Sequence, residues 1–271
     1  MMKDMTLKDI QNVSLGILKD VHRFCVENDI KYTLQGGTLL GAVRHDGFIP
    51  WDDDIDIAMP RPDYERFCNT YTSNKGYKLV CRQNNDCYIM FARVFESEHT
   101  FVDCSILPWT NFPTGIWIDI FPLDGVEDDY KLAEARINEL VRVYHTALRA
   151  RSSFPKLSSS PWLMPKMKHL IKKIIYLNSN IFDKYDRLCK LIPYGRTNHY
   201  CNLSFLGYGM HEYHRNEVLN ETILHKFEDS EFYIMKGYEE ALAEKYGDYM
   251  QLPPSDQQVP KQSYCKFYWK N

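Results

Sequence analysis

With 271 residues, 44% of them hydrophobic, the chain suits one domain, or one catalytic domain with a helical appendage, around a sizeable core. A formal net charge of -3 excludes the broad basic excess of a general nucleic-acid binder, though not a site for small phosphorylated ligands. The eight cysteines form no CxxC pair, which removes the zinc and thioredoxin-like readings and leaves reduced, structural thiols as the expectation.

Met1 to Asp9 is polar, with no secretory hydrophobic region, and no stretch approaches the roughly 20 apolar residues of a membrane span. A cytosolic protein is expected. Thr6-Leu7-Lys8-Asp9 reads as a capping box, followed by Leu7, Ile10, Val13, Ile17, Val21 and Phe24 at helical spacing. This helix should stop near Asn28-Asp29. Tyr32 to Leu34 reads as a short strand, Gly36-Gly37 as a break, and Thr38 to Arg44 as a short helix. Asp46-Gly47 marks a turn. Ile55 to Met59 alternates as a strand, and Pro62 opens a helix to about Tyr71. Tyr77 to Val80, Tyr88 to Phe95, Thr100 to Cys104 and Ile116 to Phe121 read as further strands.

From Glu127 to Arg151 the pattern is helical. Ser152 to Pro165 reads as a linker, and Trp162 to Tyr176 and Ile181 to Leu191 as helices. Asn198 to Ile234 has no clean period. Gly237 to Tyr246 reads as a helix with Gly247-Asp248 as its stop, and Pro253 to Asn271 as a loop. The fold class expected from this order is α+β: a core over residues 1–125 and a mostly helical extension over 126–271 packed on it, all within one domain.

Asp52-Asp53-Asp54-Ile55-Asp56 is the densest acidic cluster. Residues two apart on a strand share a face, so Asp54 and Asp56 project together while Ile55 and Ile57 turn to the core. Two carboxylates so close repel unless a divalent cation lies between them, and hard oxygen ligands suit Mg²⁺ or Mn²⁺. Asp119, the lone polar group in an apolar strand, is the third candidate ligand. Asp124, in Pro-Leu-Asp-Gly, reads as a turn residue. An EF-hand fits poorly, because Ile57 stands where that loop needs Gly and Asp63 where it needs Glu.

Gly36-Gly37-Thr38, at a strand-to-helix junction, would let backbone approach a phosphate. Arg44 either reaches a phosphate with its fork or serves as a cation at the helix C-terminus. Trp51 either walls the site or packs. His45 reads as structural and not catalytic, and His211 and His214 as surface or structural histidines, with contact to substrate as the other reading.

Gly36-Gly37-Thr38-Leu39-Leu40-Gly41-Ala42-Val43-Arg44-His45 followed by Gly47-Phe48-Ile49-Pro50-Trp51-Asp52-Asp53-Asp54-Ile55-Asp56 resembles the LicD family. Arg61, Asp63, Tyr64 and Phe67 continue the likeness. Ile118 to Asp124 resembles its second block, and Tyr246-Gly247-Asp248-Tyr249-Met250 with Leu252-Pro253-Pro254 its C-terminal block. The middle, 126–236, does not align by eye. The resemblance implies a nucleotidyltransferase-like fold, a small mixed sheet flanked by helices with further C-terminal helices. It also implies Asp54, Asp56 and Asp119 around Mg²⁺ (or Mn²⁺), and Gly36, Gly37, Thr38, Arg44 and Trp51 about the substrate.

The implied reaction moves phosphocholine from CDP-choline, or another phospho-alcohol from its CDP-alcohol donor, to a sugar hydroxyl. The acceptor would be an oligosaccharide or lipid-linked glycan of the cell surface, and CMP would leave. Fukutin-type relatives use CDP-ribitol. Two alternatives stay open: transfer of NMP from an NTP, and a non-catalytic glycan- or metal-binding module. Lys166, Lys168, Lys172 and Lys173 form either a solvated helix face or a peripheral contact with an anionic membrane.

Overall fold

The computed structural model describes residues 2–83, 89–104, 114–151, 181–260, 262 and 265–271. After a two-residue strand β1 (Lys3–Asp4), helix α1 (Leu7–Glu27) opens on the expected capping box. The Thr6 backbone N–H donates to Asp9 at 2.8 Å, and the Asp9 N–H donates to the Thr6 hydroxyl at 3.2 Å. Its apolar stripe, Ile10, Ile17, Val21 and Phe24, is buried against the central sheet.

Next come β2 (Thr33–Leu34), α2 (Gly36–His45), β3 (Asp56–Pro60), α3 (Arg61–Thr70), β4 (Lys78–Val80), β5 (Ala92–Glu96), β6 (Thr100–Cys104) and β7 (Ile116–Val126). Helix α2 starts earlier than expected and takes both glycines into its first turn. Strand β7 runs past Phe121 through Asp124, so Asp124 is a strand residue and not a turn residue. The central sheet has the order β2-β3-β7-β5-β4, with β3 and β7 parallel and the other neighbours in that order antiparallel. Ile55, Ile57, Ala58, Met59, Ile118 and Ile120 are fully buried, as suits strands covered on both faces.

The second half comprises α4 (Tyr130–Arg151), α5 (Ile181–Cys189), β8 (His199–Cys201), a 3₁₀ segment Leu206–Glu212, β9 (His214–Arg215), α6 (Glu217–Asn220), β10 (Thr222–Phe227), β11 (Ser230–Met235), α7 (Tyr238–Tyr246) and β12 (Cys265–Trp269). Among its described residues, the extension expected to be mostly helical therefore also carries five strands. Strand β8 joins the end of β7, and β9 pairs with β8. Helices α4 and α5 enclose a second apolar cluster with Val126, Ile137, Leu140 and Tyr185. The architecture is α+β, as expected. The linker, the helix over Trp162 to Tyr176 and the four lysines from Lys166 to Lys173 lie outside the described residues.

Two further expectations are corrected. The tail is not all loop: β12 pairs with both β6 and β1 and is the middle strand of a three-stranded sheet. Nor are all cysteines reduced, since Cys104 and Cys265, opposed in register, form a disulfide. Cys25, Cys68, Cys81, Cys189 and Cys201 are buried and lie outside that disulfide. Among the described residues, no helix is long and apolar enough to cross a membrane.

Candidate active site

The parallel register of β3 and β7 sets Asp56 opposite Asp119, and the antiparallel register of β7 and β5 sets Asp119 opposite Arg93. Asp56, Asp119 and Arg93 thus form a row across three adjacent strands. The Asp119 N–H donates to the Ile55 carbonyl at 2.9 Å, which carries the parallel pairing back to the residue between Asp54 and Asp56. Arg93 Nε donates to Asp119 Oδ1 at 2.6 Å. Its guanidinium lies over Trp117, 4.6 Å from the ring centre, and near Phe91 at 5.4 Å.

Helix α2 fixes the other side of Asp56. The Gln35 N–H donates to the Asp56 carbonyl at 2.9 Å, and the Asp56 N–H donates to Thr38 Oγ1 at 2.9 Å. Thr38 therefore ties the helix start to the acidic strand. Gly36 adopts φ +57, and a Cβ placed on it would lie 3.5 Å from Asp56 Oδ2. The absence of a side chain keeps the space beside that carboxylate open.

Burial pushes the Asp119 carboxyl above the ordinary carboxylate range; Arg93 pulls it down, and the negative charge of Asp54 pushes it further up. Asp54 is half-buried in the extended segment just before β3. Among the described residues, the acidic oxygens that gather within 4.8 Å of one another are those of Asp52, Asp53 and Asp54. Asp52 and Asp53 are buried. The Gln11 side chain donates to the Asp52 carbonyl at 2.9 Å, and the Gln262 backbone N–H faces the Asp53 carboxylate at 3.3 and 3.4 Å. Asp56 and Asp119 stand outside that gathering and meet each other through strand register instead. Carboxylate oxygens of this kind are the hard ligands that Mg²⁺ or Mn²⁺ takes.

Arg44 lies in the last turn of α2, where Nη1 donates to the carbonyls of Tyr249 at 2.8 Å and Gln251 at 3.2 Å. It fastens the C-terminal block to the first one. Trp51 is partly buried and packs against the main core. His214, 4% exposed, pairs with Glu244 at 2.7 Å. His211 Nδ1 lies 3.3 Å from the Glu244 carbonyl. Asp124 makes a two-pronged ion pair with Arg61, Nε to Oδ1 at 2.7 Å and Nη2 to Oδ2 at 2.5 Å.

Four polar residues about this site escaped sequence reasoning: Arg93, Gln35, Glu212 and Lys245. Gln35 Nε2 donates to Glu212 Oε2 at 2.6 Å, and Glu212 Oε1 meets Lys245 Nζ in a buried ion pair. Lys245 Nζ would lie 3.7 Å from a Cβ on Gly36. The available signal for Lys245 was its place directly before Tyr246-Gly247-Asp248; Arg93 was findable only through strand register.

Residues 29–154 match the family model described as LicD/FKTN/FKRP, nucleotidyltransferase domain. The chain is 32% identical over 269 residues to the lipopolysaccharide cholinephosphotransferase LicD of Haemophilus influenzae, covering 96% of this chain and 97% of that protein. It is 31% identical over 119 residues to the uncharacterized protein RP689 of Rickettsia prowazekii, 40% of this chain and 43% of that one. A 30-residue stretch is 53% identical to the ribitol 5-phosphate transferase FKRP of Homo sapiens, 11% of this chain and 6% of that protein. A likeness running nearly end to end, together with the family model over the acidic strands, makes this chain a member of the LicD family.

Proposed function

We propose that this protein is a metal-dependent transferase that moves a phospho-alcohol, phosphocholine first among the candidates, from CDP-choline to a sugar hydroxyl of a glycan precursor. The reading is carried by the in-register pair Asp56 and Asp119 in a chain that aligns almost end to end with a cholinephosphotransferase. Asp54, Asp56 and Asp119 would hold Mg²⁺ or Mn²⁺. Bound there, the ion supplies positive charge to the donor's diphosphate.

The remaining steps belong to the chain's own residues. Gly36 and Gly37 leave room for the diphosphate to approach backbone. Thr38 and Gln35 hold Asp56 from both sides of its peptide. Arg93 keeps the Asp119 carboxylate oriented. The acceptor hydroxyl oxygen bonds to the phosphorus that carries the alcohol, the bond from that phosphorus to the bridging oxygen breaks, and CMP leaves with that oxygen. The hydroxyl proton passes to Asp119 or to water. Arg44 contributes by securing Tyr249 to Gln251 near the site. The reading assigns the work to the cytoplasmic side of the membrane, where a CDP-alcohol and a lipid-linked acceptor meet.

Transfer of NMP from an NTP is the second reading, favoured by the nucleotidyltransferase description of the matching domain. Calorimetry with CDP-choline, CDP-ribitol, CDP-glycerol, CDP-ethanolamine and CTP, each with and without Mg²⁺, separates the two. Tight Mg²⁺-dependent binding of one CDP-alcohol over CTP is the expected result, and preference for CTP would move the assignment to nucleotidyl transfer. Asp54→Asn is expected to abolish metal-dependent turnover with the fold intact. Undiminished turnover in that variant would remove the metal assignment.

A further inference from the structure

Lys245 lies in the last turn of helix α7, far in sequence from Asp56, yet its ammonium and the Asp56 carboxylate both face the open side of Gly36. Its side chain is 7% exposed, and its partner Glu212 is 2% exposed. Glu212 is held on both oxygens, by the Gln35 amide on one and the ammonium on the other. Gln35 is the residue before α2, and its backbone N–H binds Asp56. One short chain of bonds therefore runs from Asp56 through Gln35 and Glu212 to Lys245.

The spot these residues surround is set by Gly36. An atom one bond outward from its Cα would lie 3.5 Å from Asp56 Oδ2 and 3.7 Å from Lys245 Nζ. An ammonium and a proposed metal-binding carboxylate thus flank the same small space, kept open by a residue without a side chain. A group entering it would meet Lys245 on one side and, on the other, the carboxylate proposed to hold the metal. A phosphate oxygen suits both neighbours, whereas a neutral or cationic group suits neither.

The position of Lys245 is also secured from beyond the helix. Residues 249 and 251, just past it, are fastened to Arg44 at the far end of α2. The last turn of α2 therefore holds the segment just past Lys245, and the residue before its first turn holds Glu212, the partner of Lys245.

Resting on the proposed donor chemistry, we infer that Lys245 is a substrate-binding residue whose ammonium meets the diphosphate of the nucleotide-linked donor beside Gly36. Glu212 and Gln35 are the positioning residues that aim it.

The test is calorimetry and steady-state kinetics with CDP-choline and Mg²⁺ on the full chain. Because Lys245→Met alone leaves Glu212 buried without its cation, the double variant Lys245→Met with Glu212→Gln is measured beside it. Lys245→Arg serves as the conservative replacement. Both Met-containing variants are expected to bind CDP-choline about 10- to 100-fold more weakly and to show a raised KM, with Lys245→Arg recovering part of the loss. A double variant that folds and binds CDP-choline like the wild type overturns the inference alone. Wild-type protein that binds none of the CDP-alcohols overturns the donor reading, and this inference with it.

Discussion

Gly36 is where backbone conformation and site chemistry meet. At φ +57 an L side chain costs about 1–2 kcal/mol, so Gly36→Ala should lower stability by about that amount. The new methyl would also occupy the space between Asp56 and Lys245. Donor affinity is therefore expected to fall by more than the loss of stability explains, read by calorimetry beside thermal unfolding. An Ala variant that is less stable but binds CDP-choline as well as the wild type would mean that no substrate atom uses that space. The strands that carry Asp56 and Asp119 were legible in the chain, because alternation and a lone carboxylate in an apolar run are local patterns; Asp54, expected on the first of them, lies just before it. Arg93 and Lys245 were not legible. One reaches Asp119 through antiparallel register, the other reaches Gly36 through a contact more than 200 positions away, and neither relation leaves a local trace.

Strand β7 organises the sheet, since it pairs with β3, β5 and β8 along its length. Pro122-Leu123-Asp124-Gly125 has the composition of a turn, yet the strand passes through it. Two neighbours explain this. Asp124, 1% exposed, is bound by Arg61 from the start of α3. Gly125 lies where a Cβ would come within 2.5 Å of the Pro193 carbonyl, so its small size serves close packing there and not a turn. The Arg61–Asp124 pair locks α3 to the far end of the strand that carries Asp119. Asp124→Asn should cost about 3 kcal/mol in denaturant unfolding, because it leaves the buried Arg61 charge with only Asp186, 3.7 Å from Nη1, to balance it. Replacing both, Arg61→Met with Asp124→Leu, should recover most of that loss. A single variant as stable as the wild type would mean that the pair carries no buried charge worth matching.

The chain closes on itself through its tail. Strand β12 sits between β1 at the N-terminus and β6 in the middle of the sequence, so its partners are distant and its own five residues carry no turn or spacing signal that names them. A loop was the natural reading of Pro253 to Asn271 for that reason. The closure reaches the acidic segment as well, since Gln262, three residues before β12, presents its N–H to the Asp53 carboxylate. The Cys104–Cys265 disulfide ties the tail to β6 across 161 positions of sequence. A cross-link over so long a loop restricts the unfolded chain, and its removal should cost about 2–4 kcal/mol. Cys104→Ser with Cys265→Ser, or reductant on the wild type, is expected to lower the unfolding midpoint by comparable amounts. Peptide mapping without reductant should recover residues 104 and 265 in one linked fragment. The buried cysteines outside that disulfide should resist alkylation until the protein unfolds, with burial pushing the thiols of Cys25, Cys189 and Cys201 up. If Cys104 and Cys265 both alkylate in the native, unreduced protein, the tail is held by β pairing alone, and reductant should then leave the midpoint where it was.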